Sequence, residues 1–224
     1  MTSRPARALT PRALGRVVVL GMVLGLAACG SAESVWAPDE VVAQSRYIPE
    51  GPSRVTLITV ISNRDGSGGH SALLIDGPER VLFDPAGSWR HPLAPERNDV
   101  LYGMTPQLYD FYIDYHARET YHVVEQELDV TPLQAATLIE AVEAYGPVPR
   151  AQCSVSISSI LASADGFEPV SRNWFPTRTM AAFGEIPGVR ASTTYDDDSD
   201  DNYEMLNAQA AAQARMERVR AQLE

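Results

Sequence analysis

The chain has 224 residues, 45% of them hydrophobic, which is enough for one globular domain with appendages. Acidic residues outnumber basic ones 29 to 18, every basic residue is arginine, and the net charge is −11. So acidic a balance argues against binding nucleic acid, or anionic lipid headgroups, through overall charge.

The N-terminus has the pattern of a signal peptide. Residues 1–16 contain four arginines and no acid, and an apolar run follows from Val17 to Ala28. A membrane-spanning helix needs about 20 apolar residues, so this run is too short to span and is typical of a signal peptide.

The apolar run ends in Leu26-Ala27-Ala28-Cys29, which resembles the lipobox of bacterial lipoproteins. The resemblance implies cleavage before Cys29, lipidation of its thiol, and membrane attachment through acyl chains such as palmitate, since stable anchoring takes more than one chain. Gly30, where an aspartate would signal inner-membrane retention, implies an outer-membrane protein facing the periplasm of a two-membrane cell. The alternative is an ordinary signal peptide with a chance cysteine.

Composition divides the chain into four segments: a signal peptide (1–28), a polar, lipid-anchored tether (29–52), an α+β domain (53–195), and an acidic linker with a C-terminal helix (196–224). Trp36 and Tyr47 in the tether are predicted to be docking contacts. The acidic run of residues 196–201 lacks the spacing of a calcium loop, so a solvated linker is predicted there.

The clearest local structure is a hairpin. Residues 54–62 are rich in β-branched side chains and indicate a buried strand, and a glycine-containing loop, 63–69, ends directly at His70. Strands at 71–76 and 80–84 flank an Asp-Gly turn. Further along the chain, the pattern predicts a loop at 85–104, helices at 106–115, 132–145, 154–161, 176–183 and about 203–224, and strands at 121–130 and 189–195.

Cys153 is the one cysteine besides Cys29. In an exported protein, where paired cysteines oxidise, an odd thiol is either buried and inert or a nucleophile. A neighbouring imidazole and a helix N-terminus both favour the reactive thiolate, and Cys153 precedes a predicted helix.

His70 is the best-placed histidine, because Gly68-Gly69 before it let a substrate approach. His91, His116 and His122 are predicted to have solvated or half-buried roles. Asp84 follows His70 by fourteen residues, so an antiparallel hairpin brings both to one end of the sheet, where the carboxylate can orient the ring. Alternatively, Asp84 merely ends a strand.

The motif order G-H-S-A-L-L-I, D-G, V-L-F-D and, much later, Q-C-S…I-L resembles the circularly permuted branch of the NlpC-type papain-like cysteine hydrolases, which includes the lecithin:retinol acyltransferase-like enzymes. His70, Cys153 and Ser154 match the family pattern. Gln152 stands where the family commonly has Asn, and Asp84 where His, Glu or Gln is usual. The resemblance covers roughly residues 53–188.

The resemblance implies a papain-like α+β fold with Cys153 at a helix N-terminus as nucleophile, His70 as base and then acid, Asp84 orienting His70, and no cofactor. Substrates would be amides, thioesters or esters, with cell-wall peptide amides suited to the periplasm. One alternative is an inactive domain that binds an envelope protein. Another is a metal site of His70, Asp84 and His122, which loose spacing and an unexplained Cys153 disfavour.

Overall fold

The structure is a computed structural model that describes residues 32, 34–203, 205–207 and 218. The predicted signal peptide, Cys29 and most of the predicted C-terminal helix lie outside these residues. Within them, no helix combines the length and apolar character that crossing a bilayer requires.

In the described part of the chain, seven strands form one antiparallel sheet, and the α+β class is confirmed. The strands are β1 Arg54–Ser62, β2 Gly68–Asp76, β3 Arg80–Phe83, β4 Glu96–Arg97, β5 Val100–Tyr102, β6 Tyr121–Asp129 and β7 Arg190–Thr194. Their order across the sheet is β4-β5-β3-β2-β1-β6-β7. The predicted hairpin of β2 and β3 is therefore present, and β1 lies between β2 and β6.

The helices are α1 Asp39–Ser45, α2 Pro106–His116, α3 Pro132–Tyr145, α4 Cys153–Ala162 and α5 Pro176–Gly184. Threonine caps two of these helices: the side chains of Thr105 and Thr131 accept from the third backbone N–H of α2 and α3, and proline takes the first helical position.

Apolar side chains cover both faces of the sheet. One face packs against α3, α4 and α5 through residues such as Leu73, Leu138 and Phe183. The other packs against α2 and the buried Trp89. Because both faces of β1 are buried, its sequence is a nearly continuous apolar run rather than an alternating one.

The segment 85–104, predicted to be a loop, contains the hairpin β4–β5. Asn98 and Asp99 link the strands with φ values of 46° and 69°. A two-residue hairpin turn needs positive φ at both positions, which Asn and Asp tolerate better than most residues, so this dipeptide is the signal for the hairpin.

From Ser34 onward, the predicted tether, 29–52, contacts β4 and contains α1. The Ala37 N–H donates to the Glu96 carbonyl at 2.9 Å. The docking prediction for Trp36 and Tyr47 agrees with the structure, which places the guanidiniums of Arg97 and Arg80 over their rings, 4.8 and 5.3 Å from the centroids.

Candidate active site

His70 lies near the start of β2 beside a β-bulge. Val60 of β1 pairs with His70 and Ile61 pairs with Gly68, so Gly69 is the extra residue. A bulge redirects the side chains next to it. Glycine also fits here because a Cβ at position 69 would lie 3.0 Å from the ring of Tyr121.

Asp84 directly follows β3 and contacts His70, as the hairpin spacing predicts. Oδ1 of Asp84 lies 2.6 Å from Nε2 of His70 and accepts a hydrogen bond from the Tyr112 hydroxyl at 2.7 Å. Burial raises the pKa of Asp84, but the charge and hydrogen bond of His70, with smaller contributions from His116 and Tyr112, hold it below its ordinary 3.8. The carboxylate is therefore ionised although only 1% of the residue is exposed.

Cys153 is the first residue of α4 and is 8% exposed. Burial raises its pKa, but a hydrogen bond with His70, the His70 charge and the backbone N–H groups of Ser71 and Ser154 lower the pKa below its ordinary 9.0. For His70 the effect of burial is the opposite, because it lowers the pKa of a group that is charged when protonated. Asp84 and Cys153 outweigh burial and raise the pKa of His70 to about 10. These shifts favour a thiolate–imidazolium pair at neutral pH.

The structure thus brings the three predicted residues, Cys153, His70 and Asp84, into one chain of contacts. Asp84 engages Nε2 of the ring, so proton exchange with the sulfur would use Nδ1. A thiolate beside an imidazolium, with a carboxylate behind it, is the arrangement needed for nucleophilic attack on a carbonyl followed by protonation of the leaving group.

Two residues that support Asp84 were missed from sequence. The Tyr112 hydroxyl donates to the carboxylate. Gly87 leaves room for that carboxylate, because a Cβ there would lie 1.9 Å from Oδ2 of Asp84. The Asp84-Pro85-Ala86-Gly87 turn is a weak sequence signal for Gly87, whereas the role of Tyr112 depends on packing alone.

The prediction of a solvated His116 is wrong. Its ring stacks on His70 with centroids 5.8 Å apart and an interplanar angle of 12°, and Nδ1 donates to the Tyr112 carbonyl at 2.8 Å. Burial lowers the pKa of His116 to about 4, against the attraction of Asp84. His116 is therefore a neutral ring beside a charged one.

The alternative metal site of His70, Asp84 and His122 is not formed. Nδ1 of His122 bonds Asn63 at 2.6 Å, and its ring stacks on Tyr195. His91 stacks on Trp89 outside the site.

Within the described residues, the one group with metal-ligand spacing consists of Asp114, Asp196 and Asp198. The buried guanidinium of Arg118 already pairs with Asp114 and Asp198. This cationic side chain accounts for the convergence of the carboxylates.

A pocket of about 330 Å³ opens beside His70, and Tyr115, Tyr121 and His116 line part of it. The predicted acidic linker contributes Asp200 and Asn202 to its wall. Asp200 accepts from the Thr120 hydroxyl at 2.8 Å, so this part of the linker lies against the domain instead of being fully solvated.

No protein-family model, curated protein or solved structure matches this chain.

Proposed function

We propose that this protein is a papain-like cysteine hydrolase or acyltransferase of the bacterial envelope. Cys153, at the start of a helix, is the nucleophile, His70 moves the proton, and Asp84 orients His70. The observation that carries the proposal is that one imidazole contacts both a buried carboxylate and the free cysteine. Burying charged groups costs free energy, and groups arranged to lower the pKa of a thiol are typical of active sites.

In the proposed reaction the Cys153 thiolate attacks the carbonyl carbon of an amide, thioester or ester, forming a C–S bond. The carbonyl electron pair moves to oxygen, where the backbone N–H of Cys153, unused by the helix, can stabilise it. Imidazolium His70 then protonates the leaving group as its bond to carbon breaks. Water or another acyl acceptor then gives a proton to His70 and attacks the thioester carbonyl. The C–S bond breaks, and the Cys153 thiolate is restored beside imidazolium His70. Cell-wall peptide amides remain the substrate suggested by family resemblance.

The test is the pH dependence of iodoacetamide labelling at Cys153. We expect labelling of the parent protein to be fast at neutral pH, below the ordinary pKa of a thiol, and His70→Ala to move the rise to higher pH. Cys153→Ser controls for labelling elsewhere. If Cys153 is labelled only after denaturation, the thiol is inert in the folded protein, and the alternative of an inactive protein-binding domain is favoured.

Activity is tested separately with an activated ester such as p-nitrophenyl acetate. Intact-mass measurement should show an acetyl adduct on the parent and none on Cys153→Ser. If the parent forms no adduct with ester, thioester or amide probes, the proposal that Cys153 is a catalytic nucleophile is contradicted.

The same proposal places the chain in the envelope as a lipoprotein, acylated on Cys29 after cleavage. Metabolic labelling with radioactive palmitate should mark the parent and not Cys29→Ser, and cell fractionation should recover the parent with the outer membrane. Equal labelling of both proteins would exclude Cys29 as the lipid site.

A further inference from the structure

Two exposed aromatic rings, each beside an arginine, lie in and next to the connection between α4 and α5. Trp174 and Phe175 are 53% and 54% exposed. The guanidinium of Arg172 lies 6.0 Å from the Trp174 ring centroid, and that of Arg178 lies 4.7 Å from the Phe175 centroid. We call these four residues the aromatic–arginine patch.

The patch is locally cationic in an acidic protein. Residues 169–184 contain no Asp or Glu, although the chain has 29 of them. Among the described residues, neither Arg172 nor Arg178 forms an ion pair with a carboxylate, whereas most other arginines of the domain do. The two guanidinium charges are complementary to an anionic surface, and the exposed rings beside them are complementary to an apolar layer under that surface.

The backbone that carries the patch is held rigidly against the helix of Cys153. The Asn173 N–H donates to the Ser158 hydroxyl at 3.0 Å, and the Asn173 side-chain oxygen accepts from the Phe175 N–H at 3.0 Å. The Ser154 hydroxyl bonds Thr179 at 2.8 Å. Little backbone ordering is therefore left to occur when a partner binds.

The patch also lies close to the candidate active site. A Cβ on Gly68 would lie 2.6 Å from Cβ of Pro176, so the start of α5 packs directly against the strand that carries His70.

We infer that the aromatic–arginine patch docks this domain on a bilayer that contains anionic lipid. Trp and Phe side chains favour the headgroup region, and the guanidiniums bind lipid phosphates. Overall negative charge does not prevent this, because charges more than about 8 Å away are screened at physiological salt. Repulsion of the acidic faces instead favours the orientation in which the patch meets the lipid. This inference does not depend on catalysis.

The test is tryptophan quenching in the full chain reconstituted into vesicles whose lipids are brominated near the headgroup. With phosphatidylcholine plus phosphatidylglycerol, we expect Trp174 to be quenched, and Trp174→Tyr to remove that part of the signal. Arg172→Gln/Arg178→Gln should lower the Trp174 quenching at least twofold. Arg150→Gln/Arg190→Gln, which removes the same charge elsewhere, should not.

Circular dichroism of each variant verifies that the domain is folded. Equal quenching in Trp174→Tyr and the parent would overturn the inference, as would equal Trp174 quenching in purely phosphatidylcholine vesicles. The measurement does not involve Cys153, so it can fail or succeed independently of the proposed enzyme.

Discussion

At the scale of single residues, Asp84 has the most demanding environment. One of its oxygens interacts with His70 and Tyr112, while Oδ2 is buried without a hydrogen-bond partner among the described residues. A buried carboxylate costs free energy unless its partners compensate, and stability alone would be served as well by an apolar residue. The charge is better explained by its effect on His70.

Replacing Asp84 by Asn should slow labelling of Cys153 at neutral pH. The neutral amide cannot stabilise the imidazolium, so the thiolate fraction at neutral pH falls towards that of an ordinary thiol, and labelling slows about tenfold or more. Asp110→Asn, on the exposed side of α2, is the matched control. Iodoacetamide kinetics measure both, and a parent-like rate in Asp84→Asn would remove Asp84 from the site.

Replacing Gly87 by Ala tests the space around the carboxylate without changing a reacting group. The new Cβ must displace Asp84, since the two would otherwise lie 1.9 Å apart. We expect labelling of Cys153 to fall about tenfold or more, because small misplacements of catalytic groups are costly. Ser88→Ala, in the same loop and exposed, should label like the parent; if Gly87→Ala does too, Asp84 is not held by this contact.

At the scale of elements, α4 is a helix that its own sequence supports poorly. Four of its ten residues are serine and three are β-branched, all weak helix formers. Its serine hydroxyls form hydrogen bonds instead: Ser156 donates to the Cys153 carbonyl at 2.8 Å, Ser154 bonds Thr179 of α5, and Ser158 donates to the Asn173 carbonyl before α5. Tertiary contacts therefore hold Cys153 in place.

Thr179→Val should destabilise the protein by about 1–3 kcal/mol, because it removes a buried hydroxyl and leaves Ser154 with a weaker partner. Urea unfolding measures the free energy. Thr177→Val, two residues earlier in α5, makes the same chemical change at a position whose hydroxyl has no hydrogen bond among the described residues. Equal unfolding free energies for the two variants would mean that the Ser154–Thr179 bond adds nothing.

At the scale of the whole molecule, half-buried His116 should make the free energy of unfolding depend on pH in the acidic range. Its pKa is about 4 when folded, against an ordinary 6.5 when unfolded. As pH falls from 6.5 towards 4, the unfolded chain takes up the proton first, so stability present above pH 6.5 is lost. The expected loss is about 1–3 kcal/mol.

The measurement is the difference in unfolding free energy between pH 7 and pH 4.5. His116→Phe keeps an aromatic ring and should reduce that difference, whereas His122→Phe, on β6, controls for replacing a histidine. An identical pH dependence in His116→Phe and the parent would show that His116 is not the group that titrates.

The features that the sequence by itself determined are those that depend on neighbours in the chain. Thr-Pro starts α2 and α3, the apolar run forms β1, and the turn after Asp76 sets the hairpin that joins His70 to Asp84. Each involves capping, side-chain periodicity or a short turn, whose geometry a few residues define. His70 and Asp84 are fourteen residues apart, but one hairpin turn joins their strands, so this contact also depends on neighbours in the chain.

Only the tertiary structure decided which groups surround that pair. Tyr112 reaches Asp84 across 28 residues, and Thr120 reaches Asp200 across 80. The docking of residues 34–47, the stacking of His116 and the placement of Cys153 against His70 are of the same kind. Such contacts arise because both faces of the sheet are covered by helices, and the order in which helices pack is set by the whole core rather than by any segment.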